Sequence, residues 1–468
     1  MTRPHRAGTD KGMGQLVILS NRIPTGAIPS GGLVVALHDC LNARGGIWVG
    51  SADTPVSVAS NVLMPLGEGP YQRFAFDVTQ AEYDGFYLGY ANSVLWPLFH
   101  WRADLIDLKA EYAEAYTTVN ARVARLLAQE LDPDDLLWVH DYHFLPIAAQ
   151  LRKLGVRNRI GFFLHTPFPH AQDLFALPQR EEFTEWLAAY DLVGLQAERD
   201  VAALLELFRS EAQGELLMDG TIQHRDGRFS VMSCPIGIDV DDFIAQTEAS
   251  NGAAKLGLRD KDQLVIGVDR LDYSKGLVNR FEAFGQYLAA HAEDRPPATF
   301  LQIAQPSRSA LDAYQDIRGE LEKTAGFLNG TYGKLDWTPI RYLCRSVPRE
   351  RIAGLYRRAN VGLVTPLADG MNLVAKEYVA AQDPSDPGVL VLSHFAGAAE
   401  QMTAALLVNP YDSEEVAGAI DTALAMPRDE RIARHGELMA DLRRRDIGWW
   451  TETFLRRLAS VPASDAAS

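Results

Sequence analysis

Short runs of apolar and β-branched residues alternate along this chain with longer stretches in which apolar positions recur every three or four residues. The runs LVILS (16–20), RFAFDV (73–78), LLWV (136–139), RIGFFL (159–164) and LVGL (192–195) lie in the first half. QLVIGV (263–268), ATFLQIA (298–304), PIRYL (339–343), VGLVTP (361–366) and VLVLS (389–393) lie in the second. Runs this uniformly apolar predict strands covered on both faces, and the helix-length segments between them predict parallel βα units. ARVARLLAQEL and AERDVAALLELF carry the spacing of a single buried helix face. Two such sets imply two doubly wound α/β domains, joined near residues 230–245, where SCPIGIDVDD brings Pro and Gly after a strand-like stretch. The last amphipathic stretch, GELMADLRRRDIGWWTETFLRRL, predicts a terminal helix docked by Trp449, Trp450 and Phe454. Periodicity alone does not say which domain receives it.

Composition narrows the classes. The 468 residues are 47% hydrophobic and 23% charged, the balance of a globular protein with a large core. With 45 basic against 61 acidic residues the formal charge is −16, which disfavours nucleic acid and anionic membrane surfaces as partners. Any cationic site must therefore be assembled locally. Cys40, Cys234 and Cys344 stand too far apart in sequence for a disulfide framework or a metal cluster, so a reducing cytoplasm is the expected compartment. No apolar run approaches the roughly 18 residues of a membrane span, and MTRPHRAGTDKGMG lacks the apolar stretch of a secretory signal.

In open parallel sheets ligands bind beyond the carboxyl ends of the strands, so the residues after each run are the candidates for chemistry. LVILS is followed by Asn21-Arg22, then by Ser30-Gly31-Gly32-Leu33 opening a helix. A glycine pair there admits an anion to backbone N–H groups and the helix dipole, or simply marks a turn and a helix start. LLWV leads to His140-Asp141-Tyr142-His143; no third ligand accompanies the two histidines, and the carboxylate suits sugar hydroxyls better than a metal. RIGFFL leads to His165-Thr166-Pro167, where the histidine is either a structural residue or a substrate contact. QLVIGV leads to Asp269-Arg270-Leu271-Asp272-Tyr273-Ser274-Lys275-Gly276. Arg270 and Lys275 suit two phosphate oxygens, as a fork plus a mobile ammonium, or else belong to a solvated loop with local ion pairs. Arg308 follows ATFLQIA, and Asp369-Gly370-Met371-Asn372-Leu373 opens a helix after VGLVTP, with Glu377 about a turn in, placed to accept from ribose hydroxyls. Together these put Arg22, Arg270, Lys275, Arg308 and two anion-seeking helix starts at strand ends in both domains. Such a cleft suits a nucleotide diphosphate and a second phosphorylated ligand, with Tyr87, Trp96 and Asp141 pointing to sugar.

These segments resemble the trehalose-6-phosphate synthase family, retaining glycosyltransferases of GT-B fold: two Rossmann-like domains facing a central cleft. The resemblance runs from about residue 15 to 460 and rests on SNR (20–22), SGGL (30–33), NSVLWPLFHWR (92–102), LLWVHDYHFLP (136–146), IGFFLHTPFP (160–169), DRLDYSKGL (269–277), AYQDIR (313–318) and DGMNLVAKEYVAAQDP (369–384). It implies an acceptor domain at 1–235, a nucleotide-sugar domain at 236–442, and a helix 443–460 crossing back to the first. It further implies transfer of glucose from a nucleotide sugar, in first place UDP-glucose, to glucose 6-phosphate. Arg22, Tyr87, Asp141 and Arg308 would hold the acceptor, the two arginines on its phosphate, while Trp96 and His165 would select the anomer. Gly31, Gly32, Arg270 and Lys275 would bind the donor diphosphate, and Val347 the base through its backbone. Leu373, Val374, Ala375, Lys376 and Glu377 would form the donor-binding helix start, with Glu377 on the ribose, and Asp369 and His165 on the transferred glucose. No cofactor or metal is implied, nor a nucleic-acid or membrane partner; a homo-oligomer is, the tetramer being a form the family often takes.

The mechanism implied is front-face attack without an enzymic nucleophile, consistent with the lack of paired carboxylates of the glycosidase kind. Several positions depart from the family pattern: Leu195 and Ala197 flank a retained Gln196, Ala368 replaces a basic residue, Phe327 replaces an arginine, and the loop between Arg22 and Gly31 is short. These bear on donor preference and oligomer contacts. The alternatives on the same fold are a glucosylglycerol-phosphate synthase and a cyclitol-coupling pseudo-glycosyltransferase; outside catalysis, the alternative is a sugar-phosphate-sensing regulator. Retention of Arg270, Lys275, Asp369 and Glu377 together favours an enzyme.

Overall fold

A computed structural model describes residues 14–24, 32–52, 54–210, 214–225, 227–250, 262–291, 298–308 and 311–461. The first half builds a ten-stranded sheet. Its strands are β1 (Leu16–Arg22), β2 (Ile47–Ser51), β3 (Met64–Pro65), β4 (Gln72–Phe76), β5 (Leu136–His140), β6 (Ile160–Phe163), β7 (Leu192–Leu195), β8 (Glu215–Leu216), β9 (Thr221–His224) and β10 (Gly227–Ser233). They run in the order β3-β4-β2-β1-β5-β6-β7-β10-β9-β8. The stretch from β4 to β10 is parallel, and the antiparallel pairs β3·β4, β10·β9 and β9·β8 close its edges.

The second half forms a wholly parallel sheet from β11 (Gln263–Arg270), β12 (Ala298–Gln305), β13 (Ile340–Leu343), β14 (Val361–Val364), β15 (Val389–Ser393) and β16 (Leu406–Val408), ordered β13-β12-β11-β14-β15-β16. The order reverses between β11 and β14, so the chain leaves those two strands towards opposite faces and opens a crevice at their carboxyl ends. The ten apolar runs all become strands. Periodicity did not single out β2, β3, β8, β9 and β16, and marked β10 only as the strand-like stretch at the domain junction; β3, β8, β9 and β16 are short, and IWVGS at β2 carries a glycine that dilutes its apolar signal.

The terminal stretch corrects the sequence expectation. It is two helices, Arg428–Arg444 and Ile447–Ser460, broken where Arg445 leaves helical geometry and the Asp446 carboxylate accepts from the Trp449 N–H at 2.7 Å. The second helix lies on the first sheet. Phe454 stacks on Trp138 at 4.7 Å and Trp450 meets the same ring tilted at 4.8 Å, both fully buried, while Trp449 is only half-buried. Gly161 and Gly194 make room for it, since a Cβ at either would meet the Phe454 ring at 2.8 or 2.7 Å. Where the chain passes between the sheets its two crossings touch: the Ile447 N–H donates to the Ile238 carbonyl at 3.2 Å. No helix among the described residues is long and apolar enough to cross a membrane.

Candidate active site

The strand ends of both sheets open onto one cavity of about 660 Å³. Arg22, Asp141, His165 and Gln196 enter it from the ends of β1, β5, β6 and β7. Arg270, Lys275, Arg308, Val347, Asp369 and Glu377 enter from the segments after β11, β12, β13 and β14. Tyr87 and Trp96 come from a less common element. Tyr83–Leu95 is a wide helix with i+5 bonding, extended by the Asn92 amide donating to the Tyr87 carbonyl at 2.7 Å and the Ser93 hydroxyl to the Leu88 carbonyl at 2.8 Å. π-type turns recur at functional sites, and this one hands the chain to Trp96-Pro97 at the cavity wall.

At one end of the cavity the Arg308 guanidinium lies 3.8 Å from the Trp96 ring centre, with Arg270 over the same ring at 5.0 Å. Arg308 donates to Tyr314 (2.7 Å), Tyr142 (3.1 Å) and the Asp272 carboxylate (3.2 Å). Burial works against its charge, but Tyr142, Tyr314 and Asp272 outweigh it and raise its pKa. Asp272 answers in kind: burial opposes its charge, yet Arg308 and Arg270 hold it down to about 2. Arg22 donates to the Tyr87 hydroxyl at 3.1 Å, and beside Arg22 and Arg308 that phenol is lowered despite its burial. Asp141, at a left-handed φ of 72°, is pushed by burial up to about 6, although the His165 and Tyr142 N–H groups and Arg308 favour its charge.

At the other end the Lys275 ammonium pairs with the Asp369 carboxylate at 2.5 Å, and the Asn372 amide donates to the same oxygen at 3.0 Å. Burial opposes the charge of Asp369, and Lys275 overcomes it, lowering the pKa. Asn372 also caps the helix Leu373–Ala381, accepting from the Ala375 N–H at 3.3 Å. That cap uses the amide of Ala375, which is fully buried, so the free N–H groups of the first turn belong to Leu373 and Val374, both at the cavity. The Lys376 side chain turns away, donating to the Ile236 carbonyl (2.7 Å) and Gln401 (2.9 Å); burial lowers its pKa to about 7. Ala375 and Lys376 thus belong to the helix start but do not line the cavity. Glu377 does: burial raises it to about 7 against the pull of Arg349, 3.5 Å away. Gly31 lies outside the described residues, and Gly32 opens the helix Gly32–Arg44.

His165 is held by a polarised chain. The Gln196 carbonyl oxygen accepts from the Ile236 N–H at 2.9 Å, which turns its amide N–H towards His165 Nδ1 at 3.3 Å. His165 then carries its proton on Nε2 and donates to His140 Nδ1 at 3.1 Å. Burial lowers the His165 pKa to about 3, so the ring stays neutral. Both ring nitrogens are committed to the protein; any ligand would meet the ring carbons or the backbone. Among the described residues no group of three or more His, Cys, Asp or Glu is arranged to hold a metal ion.

Sequence reading missed several supports. Arg280, fully buried, joins Asp269 (2.7 Å), Gln302 (3.0 Å), Thr365 (3.0 Å) and the Lys275 carbonyl (3.2 Å), fixing the segment that carries Arg270 and Lys275. Nothing but a lone basic residue on an apolar helix, RFEAFGQYL, signalled it. Arg349, two residues after Val347, sits beside Glu377 and was likewise unmarked.

Comparison with known proteins agrees over the whole chain. The model of glycosyltransferase family 20 matches residues 22–460. A trehalose-6-phosphate synthase of Sodalis glossinidius is 46% identical over 96% of this chain and 97% of its own length. The Burkholderia xenovorans α,α-trehalose-phosphate synthase (UDP-forming), solved in complex with glucose 6-phosphate, is 43% identical, covers 96% of this chain and 100% of its own, and superposes with a TM-score of 0.92. An E. coli structure bound with UDP-2-fluoro glucose is 43% identical over 96% of this chain and 99% of its own, with a TM-score of 0.89.

Proposed function

The chain belongs to glycosyltransferase family 20, as a trehalose-6-phosphate synthase of GT-B fold, and from that footing we propose that it transfers glucose from UDP-glucose to glucose 6-phosphate with retention, giving α,α-trehalose 6-phosphate and UDP. The observation that carries this reading is one cavity lined by four cations, Arg22, Arg270, Lys275 and Arg308, in a protein whose overall charge is −16: Arg22 and Arg308 stand at one end, Lys275 at the other, and Arg270 lies over Trp96 beside Arg308. The relatives solved with glucose 6-phosphate and with UDP-2-fluoro glucose support the choice of the two substrates.

In this reading Arg22 and Arg308 take the acceptor phosphate, Tyr87 and Asp141 its remaining polar groups, and Trp96 walls the sugar. Gly31, Gly32, Arg270, Lys275 and the first-turn amides of Leu373 and Val374 take the donor diphosphate. Val347 meets the base through its backbone, Glu377 accepts from the ribose, and Asp369 with His165 borders the transferred glucose. The acceptor oxygen joins the anomeric carbon on the face that the diphosphate leaves, and its proton passes to the departing phosphate oxygen. Arg270 and Lys275 act on the charge growing on that oxygen, usually the largest catalytic contribution in such a site. Asp369 already holds Lys275 and Asn372 and is thereby kept from nucleophilic attack. The reading extends to a cytoplasmic homo-oligomer.

The test is release of UDP from UDP-glucose with glucose 6-phosphate, glycerol 3-phosphate or no acceptor, with the product's anomeric configuration read by NMR. Release that depends on glucose 6-phosphate, with an α,α-linked phosphorylated disaccharide, upholds the proposal. Preference for glycerol 3-phosphate moves the acceptor assignment, and no turnover with any sugar nucleotide returns the regulator reading.

A further inference from the structure

Outside the cavity the two domains grip each other at one place with opposite and complementary chemistry. The helix Glu198–Ser210 of the first domain points its N-terminus at the second, where Glu400 accepts from the backbone N–H of Glu198 (2.8 Å) and of Arg199 (3.2 Å). A carboxylate across two free amides of a helix start is a charge-assisted cap, here supplied by the other domain. The Arg199 side chain reaches the opposite way. Its guanidinium donates to the carbonyls of His394 (2.9 Å), Phe395 (2.9 Å) and Asp369 (3.4 Å). Those carbonyls belong to one unit, since the Asp369 N–H donates to the Phe395 carbonyl (3.2 Å) and the Gly397 N–H to the Asp369 carbonyl (3.0 Å).

Trp101, from the first domain, abuts the same loop. Its ring meets Phe395 edge-on at 6.0 Å and stacks on His170 at 5.8 Å, with a left-handed φ of 56°. A bulky residue in that region is strained, and such strain persists only where the surroundings enforce it. On the inner side Gly370 lies so close to the first domain that a Cβ would be 2.1 Å from the His165 carbonyl oxygen. The Asp369 loop is thus held from three sides by the other domain.

We propose that Arg199 and Glu400 form a reciprocal interdomain latch and that Arg199 is a positioning residue for glucosyl transfer, setting Asp369 and through it the Lys275 ammonium against the donor. This rests on the reading above, in which Asp369 borders the transferred sugar. Arg199 touches neither ligand in that reading. Its loss therefore acts on the geometry of the closed cleft rather than on the affinity of the open one, and the effect falls on kcat more than on KM.

The experiment compares wild type, Arg199→Ala, Arg199→Lys, Glu400→Gln and the double variant Arg199→Ala/Glu400→Gln, with melting temperatures as the control for folding. Loss of charge-assisted hydrogen bonds at a partly exposed position predicts a fall in kcat of about ten- to a hundredfold for Arg199→Ala, with KM for UDP-glucose within about threefold. Arg199→Lys should recover part of the rate, and the double variant should lose less than the product of the two single losses. Unchanged kcat in Arg199→Ala, or a fall matched by lost folded protein and not recovered by Arg199→Lys, overturns the latch. Small-angle scattering with UDP and glucose 6-phosphate separates this from failure of the function. If the wild type does not turn over but contracts on adding both while Arg199→Ala does not, the latch stands and the catalytic reading falls. Equal contraction of the two proteins removes the latch whatever the activity.

Discussion

At the scale of single residues, the two cations on the loop after β11 differ in what their loss does. Arg270 is half-buried and lies over Trp96, so Arg270→Ala leaves no buried charge behind. Its cost should be confined to the leaving diphosphate, about 2–4 kcal/mol by analogy with a lost oxyanion donor, read as a drop of roughly 30- to 1,000-fold in kcat/KM with an unchanged melting temperature. Lys275→Ala also strips Asp369 of its buried partner, so it should lose both activity and stability, the second by about 3–5 kcal/mol. Equal melting temperatures for the two variants would contradict this. Glu377 supplies a pH dependence. Burial holds its carboxyl up to about 7, so below that pH the group is neutral, one of its oxygens carries a proton, and it is a weaker acceptor for the ribose hydroxyls. KM for UDP-glucose should rise as pH falls from 8 to 6, and Glu377→Gln should flatten that profile. Most of the residues bearing cavity charge were legible in the sequence because they stand in the loops or helix starts that follow an apolar run. Arg199, Arg280 and Arg349 were not: Arg199 and Arg349 share their helices with other arginines, Arg280 is a lone cation on an apolar helix, and only the packed structure shows that each turns inward.

Elements show the same division. The ten apolar runs were readable because burial on both faces leaves few polar residues to interrupt them, whereas the wide helix Tyr83–Leu95 left no trace in periodicity. Its geometry depends on i+5 bonds that Asn92 and Ser93 reinforce, and neither residue marks such a turn when read alone. The start of the helix Leu373–Ala381 was visible as DGMN, yet the reason for its glycine was not. Gly370 is required by the other domain: an added methyl would meet the His165 carbonyl and could be admitted only if the lobes moved apart. Gly370→Ala is expected to cut kcat by at least about tenfold while UDP still binds, measured by calorimetry beside steady-state rates. Gly436 is the control, since nothing lies within 4 Å of its would-be Cβ in the helix Arg428–Arg444. Gly436→Ala should leave the rate alone and stabilise by about 0.5–1 kcal/mol. Loss of activity in both variants would argue that small residues matter here for a reason other than the approach of the domains.

Across the whole molecule, the terminal helix turns two lobes into one machine. Among the described residues none beyond Glu377 lines the cavity, so chemistry alone gives no reason for the terminal helix. Packing does. Trp450 lies 5.1 Å from Phe163 and 6.1 Å from both His140 and His165, beneath the chain that sets the His165 tautomer. The end of the helix is tied down as well, by the Arg159 guanidinium donating to the Val461 carbonyl at 2.9 Å. The sequence showed an amphipathic stretch with aromatic anchors but not its destination, because a terminal helix docks by shape and only the paired gaps at Gly161 and Gly194 show where Phe454 fits. Truncating the chain after Arg445 would uncover Trp138 and Phe163 while removing no cavity residue. Phe454→Ala is the milder form, expected to cost about 3–5 kcal/mol for a fully buried aromatic whose site is walled by rigid strands. It should lower the denaturant midpoint of the first domain, followed by the fluorescence of Trp138 as its stacking on the terminal helix is lost, and turnover should fail at the temperature where that contact melts rather than where the second domain unfolds. If Trp449→Ala, at a half-buried position one residue from Trp450, were as damaging as Phe454→Ala, the helix would be acting through its exposed face, and its place as the floor of the site would have to be given up.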